Sequence, residues 1–197
     1  ATDGHRLSFQ HHQQESDHTF EFIIPRKAVL ELNKQLEQHS EQTTKLGFSN
    51  QHRSIETPNF TMVTTTLKGQ YPNCNHFQES SYDNAACVDV ELLKRALQRA
   101  SILSHDKFKA VKVTLSENQL IISAYNQEQE NIHEAIAIQY DGPETTLGFN
   151  INYITDILGN IDTDMVEIQF TESEKRVLFS EPDRKISSSY IVMPLVI

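Results

Sequence analysis

Apolar and polar positions along this chain fall into a recurring order, clearest between Ala85 and Tyr140. Ala85-Ala86-Cys87-Val88 predicts a short strand, and Asp89 supplies a side-chain oxygen at the N-cap of a helix over Val90–Leu103. Val90, Leu93, Leu97 and Ala100 share one face of that helix. Val111, Val113 and Leu115 then alternate with Lys112 and Thr114, and Ser116-Glu117-Asn118-Gln119 turns the chain. Leu120, Ile122 and Ala124 alternate next, and Ile136, Ile138 and Tyr140 after a polar loop. The unit is β-α-β-β-β.

The same order appears twice more, at a period of roughly 60 residues that suits a duplicated half-domain better than a solenoid. Upstream, Thr19 to Ile24 predicts a strand, Pro25 the first helical position, and Arg26–Gln38 a helix, followed by strands over Lys45 to Asn50, His52 to Thr57 and Asn59 to Thr66. Downstream, Thr146 to Asn150 leads into a helix over Ile151–Leu158 that Gly159 stops at C′. Strands over Met165 to Thr171, Arg176 to Ser180 and Ser187 to Leu195 complete that copy. Ahead of all three, Asp3-Gly4 has the chemistry of a tight turn and Leu7-Ser8-Phe9 is the strand leaving it. Only Ala1 stands where the preceding strand belongs, which reads as part of a longer chain. The Gly, Pro and Asn residues from Leu67 to Asn73 break periodic structure and put a domain boundary near Ser80, giving domains 1–80 and 81–197.

Composition narrows the function. With 38% apolar residues in 197 and no apolar run near the roughly 18 residues of a membrane span, the chain reads as a cytoplasmic globular protein without a membrane partner. Cys74 and Cys87 are too few for a disulfide framework and lack metal spacing. A net charge of −10 argues against a protein that coats nucleic acid through a strong positive field. That average hides a pattern: Lys94, Arg95, Gln98 and Arg99 share one face of the central helix, Arg26, Lys27 and Lys34 lie on one face of the first, and Lys107 and Lys109 follow the central one. By themselves such positions are a solvated face; their repetition on equivalent helices favours a shared anionic partner. Asp3 and His5, with His11, His12 and His18 nearby, are candidates for general-base or metal chemistry. Yet no His-Glu-x-x-His, Gly-x-Ser-x-Gly, phosphate loop or dinucleotide fingerprint occurs in a chain with six Gly.

Several segments, taken in order, resemble the beta subunit of bacterial DNA polymerase III, the sliding clamp. They are Ala1-Thr2-Asp3-Gly4-His5-Arg6-Leu7, Ile24-Pro25-Arg26-Lys27, Gly69-Gln70-Tyr71-Pro72, Ile102-Leu103-Ser104, Lys107-Phe108-Lys109, Ser116-Glu117-Asn118-Gln119-Leu120, Gly148-Phe149-Asn150 and Tyr190-Ile191-Val192-Met193-Pro194. The resemblance implies an α+β DNA-clamp fold, with helices lining a DNA channel and sheets outside. It also implies the later part of the middle domain plus the whole C-terminal domain, with one and a half domains preceding them in the native protein. Function would be that of a polymerase processivity factor: a homodimeric ring around double-stranded DNA, read without sequence preference, with no active site, metal or cofactor of its own. Partners implied are the replicative polymerase alpha subunit, the clamp loader and other proteins carrying short Gln- and Leu-containing motifs.

Carried over by position, the DNA-facing residues are Arg26, Lys27, Phe108 and Lys109, to which the helical wheel adds Lys94, Arg95 and Arg99. Ile102 and Leu103 fall at the subunit interface. Thr2, Gly4, His5, Arg6, Leu7, Pro72, Ile191, Val192, Met193, Pro194 and Leu195 form the peptide groove; without the resemblance, Ile191 to Leu195 is an edge strand ended by Pro. Departures are the chain end Leu195-Val196-Ile197, which lacks the family's Arg, and Gln70, where Arg is common. Two other classes compete: an interaction scaffold that never touches DNA, and an enzyme using Asp3 and His5.

Overall fold

The computed structural model describes residues 1–11, 19–38, 44–49, 51–74, 81–103, 109–125, 130–171, 176–182 and 188–196. In chain order the elements are β1 (Arg6–Gln10), α1 (Arg26–Gln38), β2 (Lys45–Phe48), β3 (His52–Glu56), β4 (Thr61–Thr65), β5 (Asn84–Asp89), α2 (Val90–Leu103), β6 (Ala110–Ser116), β7 (Gln119–Tyr125), β8 (Asn131–Ala137), β9 (Thr145–Asn150), α3 (Ile151–Leu158), β10 (Met165–Phe170), β11 (Val177–Ser180) and β12 (Ser188–Val192). Packing divides them into two units, Ala1–Gln13 with Ser81–Ile197, and Gln14–Ser80.

The first unit holds two antiparallel sheets, ordered β1-β12-β11-β10-β5 and β8-β7-β6-β9. Each β-α-β-β-β repeat gives its first strand to the other repeat's meander. β5 pairs β10, with Val88 opposite Val166, and β9 pairs β6, with Phe149 opposite Val111. Neither repeat can close its sheet alone. Cys87 and Gln139 exchange backbone hydrogen bonds, and the Leu195 N–H donates to the Gly148 carbonyl, so each sheet is also tied to the other. α2 packs on β7, β8, β5 and α3, and α3 on β9. A single apolar cluster, in which Val88, Leu97, Leu120, Phe149, Phe170 and Phe179 are almost wholly enclosed, joins both sheets and both helices.

The helices begin and end where local chemistry directs. Asp89 Oδ1 accepts the Leu92 N–H at 2.8 Å at the start of α2, and Val90, Leu93, Ala96, Leu97 and Ala100 are its buried face. Asn150 caps α3 by accepting the Asn152 N–H at 3.0 Å. Gly159 ends α3 in the right-handed region, at φ −65°, as its C-cap rather than at the expected C′. Pro25 precedes α1, and its carbonyl accepts the Ala28 and Val29 N–H groups.

Two strands differ from the sequence reading. β8 runs Asn131–Ala137, so it starts before the expected Ile136 and ends before Ile138 and Tyr140; its first half is hidden by Glu134, which interrupts the apolar row of Ile132 and Ile136. Glu134 stands opposite the buried Ile122, on the face turned to α2, where it meets Arg99. Thr19 to Ile24 forms no ladder; Ile23 makes an isolated bridge to Leu67. β1 also lies in the sheet of the C-terminal unit, apart from the rest of 1–80.

The second unit carries the three-stranded meander β2-β3-β4 and helix α1. α1 has no buried residue, and Ile55 is the one buried apolar residue of this unit among those described. Phe20 stacks on Phe48 with centroids 3.8 Å apart, and the Arg53 guanidinium sits 5.0 Å from the centroid of Phe22.

Candidate functional site

The expected groove residues of the first unit gather where the opening hairpin meets the closing strand. Asp3 Oδ1 accepts the His5 and Arg6 N–H groups at 3.0 and 3.1 Å, and the Thr2 hydroxyl donates to the Arg6 carbonyl at 2.7 Å. Gly4, at φ +89°, supplies the left-handed step that this turn needs. β1 then pairs β12, with Arg6 opposite Val192 and Leu7 opposite Ile191. The Met193 N–H continues the ladder to the His5 carbonyl at 3.0 Å. Pro194 ends the pairing, and Leu195 crosses to Gly148 at 2.8 Å. The chain end thus straps one sheet to the other.

Burial sorts the groove residues into two layers. Leu7, Ile191 and Val192 are buried and support the surface from beneath, whereas Met193 and Leu195 are about 40% exposed, with Pro194 half-buried between them. Thr2, Gly4 and His5 are exposed beside them. The accessible surface is therefore a small apolar patch with polar groups at one end. Pro72 is exposed in the second unit.

Arg6 has the most elaborate surroundings. Its Nε donates to Asp3 Oδ2 at 3.0 Å and its Nη1 to Asp156 Oδ2 at 2.6 Å, while the guanidinium lies 4.5 Å from the Tyr153 ring centroid. The hydrogen bond Arg6 donates to Asp156, with that to Asp3 and both charges, holds Arg6 above its ordinary range against a smaller desolvation. For Asp3, burial acts upward, but the hydrogen bonds from His5 and Arg6 prevail and keep its carboxyl below the ordinary value. Asp3 is thus committed to the turn and to Arg6, which leaves little for general-base work with His5.

The candidate DNA-facing residues are less uniform than their spacing suggests. Arg26 and Lys27 are exposed in the first turn of α1, where the helix dipole disfavours cations, so helix stability does not account for them. Arg95 is exposed on α2. Lys94 is 3.4 Å from Glu91, and Arg99 makes two 2.7 Å hydrogen bonds to the Glu134 carboxylate, holding Arg99 above and Glu134 below their ordinary values. Lys109 is half-buried, and its carbonyl accepts the Ile151 N–H at the start of α3. Phe108 lies outside the described residues. Ile102 is 80% exposed at the end of α2 and Leu103 is half-buried. Among the described residues no cluster of His, Cys, Asp or Glu could hold a metal ion, and no helix is long and apolar enough to cross a membrane.

Two successive family models cover nearly the whole chain in order: the central domain of the DNA polymerase III beta subunit over residues 1–73, and its C-terminal domain over residues 80–196. The chain belongs to the DNA polymerase III beta subunit family. Among its relatives, the beta sliding clamps of Pseudomonas aeruginosa and Escherichia coli K12 are 34% and 32% identical, each over 198 aligned residues. Both alignments take in 99% of this chain and 53% of the relative, so the chain spans about half the length of these clamps. A solved P. aeruginosa DnaN sliding clamp bound to griselimycin superposes with a TM-score of 0.91 at 32% identity, over 100% of this chain and 53% of that one.

For this beta-subunit chain, the sequence reading missed Tyr153 and Asp156, the α3 residues that receive Arg6. A signal for them was present. The Asn150 cap sets the phase of α3, whose core face is Ile151, Ile154, Ile157 and Leu158. Tyr153 and Asp156, three apart, then share a face at the margin of the core, Tyr153 partly packed against it and Asp156 exposed.

Proposed function

We propose that this chain is the later part of the central domain, 1–80, and the C-terminal domain, 81–197, of a bacterial sliding clamp, a processivity factor for DNA polymerase without an active site. The match to two consecutive beta-subunit domains in order carries this reading. In this reading the clamp is a cytoplasmic homodimeric ring around double-stranded DNA. Arg26, Lys27, Arg95 and Lys109 face phosphate, and the exposed Ile102 with Leu103 meets a second subunit. A weak basic lining suits retention by topology, since tight phosphate binding would oppose sliding. The paired state of Lys94 and Arg99 makes the lining weaker still.

The surface formed by His5, Met193, Pro194 and Leu195 would receive short motifs of the polymerase alpha subunit, the clamp loader and other partners. Burying one or two Leu or Phe side chains at about 1.5–3 kcal/mol each, less the cost of ordering a flexible peptide, corresponds to micromolar affinity. Met193 is adaptable enough to serve several motifs. Griselimycin, the ligand named with the P. aeruginosa clamp, is a probe to try on this surface, and weaker binding by Met193→Ala would place it there. A protein that contains this chain at its relatives' length should stay on circular duplex DNA and be lost when the circle is linearised. Equal retention on both forms would favour an ordinary DNA binder, and retention on neither a scaffold that never touches DNA.

A further inference from the structure

We infer that Asp156 is a positioning residue for the groove: through Arg6 and Asp3 it fixes the hairpin turn that carries His5. The inference rests on the groove reading above. From β1 the Arg6 side chain reaches α3 at two points, the Asp156 carboxylate at 2.6 Å and the Tyr153 ring at 4.5 Å. Its Nε meets Asp3 Oδ2 at 3.0 Å, while the other oxygen of Asp3 holds the His5 and Arg6 amides. Asp3 therefore couples the guanidinium to the main chain of the turn. On the opposite side, the His5 carbonyl is held by the Met193 N–H at 3.0 Å.

His5 is thus restrained twice, by the closing strand and, through Asp3 and Arg6, by α3. Without the Asp156 charge the closing-strand restraint remains and the helix-side one weakens. All three side chains keep substantial exposure, 34% for Arg6, 45% for Asp3 and 60% for Asp156. Ion pairs so exposed contribute little to stability, so the consequence of this one falls on the geometry of the turn.

The test measures griselimycin binding by the chain as it stands, for wild type, Asp156→Asn, Asp156→Glu, Arg6→Gln and the Asp156→Asn/Arg6→Gln pair. Asp156→Asn should weaken binding about fivefold at low salt, with the deficit shrinking as salt rises. Asp156→Glu should restore part of the loss. Adding Asp156→Asn to Arg6→Gln should cost nothing further, and the melting midpoint of Asp156→Asn should stay within about 4 °C of wild type. Equal binding by wild type and Asp156→Asn overturns the inference, as does an undiminished loss in the Arg6→Gln background. If the wild-type chain fails to bind griselimycin, or binds it with no loss in Met193→Ala, the groove reading falls and takes this inference with it.

Discussion

Lys109 and Asn118 both adopt left-handed backbone, at φ 39° and 54°, for different reasons. Asn118 turns β6 into β7, a place that Asn tolerates well. Lys109 has no such excuse in its side chain; its carbonyl is held by the Ile151 N–H at 2.8 Å, and the start of α3 fixes its conformation. A left-handed L-residue costs about 1–2 kcal/mol, and Gly gives back about 0.5–1 kcal/mol of that through its unfolded-state entropy. Lys109→Gly should therefore stabilise the chain by up to about 1 kcal/mol in urea unfolding, and Lys109→Val should destabilise it by more. Legibility at this scale follows range. Asp3, Gly4, Asp89 and Asn150 act on neighbours two or three residues away, and the first three could be assigned their roles from sequence. Arg6 meets Asp156 across 150 positions, and Arg99 meets Glu134 across 35, so residue type alone did not reveal either pair.

The three helices were readable to their ends because caps and apolar spacing are local. Arg26–Gln38, Val90–Leu103 and Ile151–Leu158 all run as the pattern requires. Strands depend on partners, and there the pattern was less informative. Glu134 at a core-facing position hid the first half of β8, and Thr19 to Ile24 has strand-like residues yet only one bridging contact. The value of a local signal can be measured at α2. Asp89→Ala removes the oxygen that holds the Leu92 N–H and should cost about 1 kcal/mol, whereas Asp89→Ser should recover most of that. Because α2 packs on β5, β7 and β8, loss of its first turn should also appear as faster amide exchange along β5.

For the molecule as a whole, the exchange of β5 and β9 between repeats has the largest consequence. Periodicity disclosed the repeats but not this crossing, since an apolar strand carries no mark of which meander it will join. The crossing makes the first unit a single cooperative body: opening either repeat strips a strand from both sheets and breaks the core shared by Val88, Phe149, Phe170 and Phe179. The second unit lacks such support. α1 buries no residue, and Val29, Leu30, Leu46 and Val63 are exposed, which leaves Ile55 as its small interior among the described residues. Native-state hydrogen exchange on this chain should therefore divide sharply. Amides of α2, β6, β7 and β10 should exchange only through global unfolding, while those of α1 and β2 to β4 exchange at least about a hundredfold faster, because local openings range from near zero free energy to the global value. Mild heating should melt the second unit first and leave the first unit's strand amides protected. Equal protection in both units at low protein concentration would mean that the exposed apolar face of α1 and β2 to β4 is covered in solution. Equal protection that appears only as concentration rises would assign that cover to a second copy of the chain.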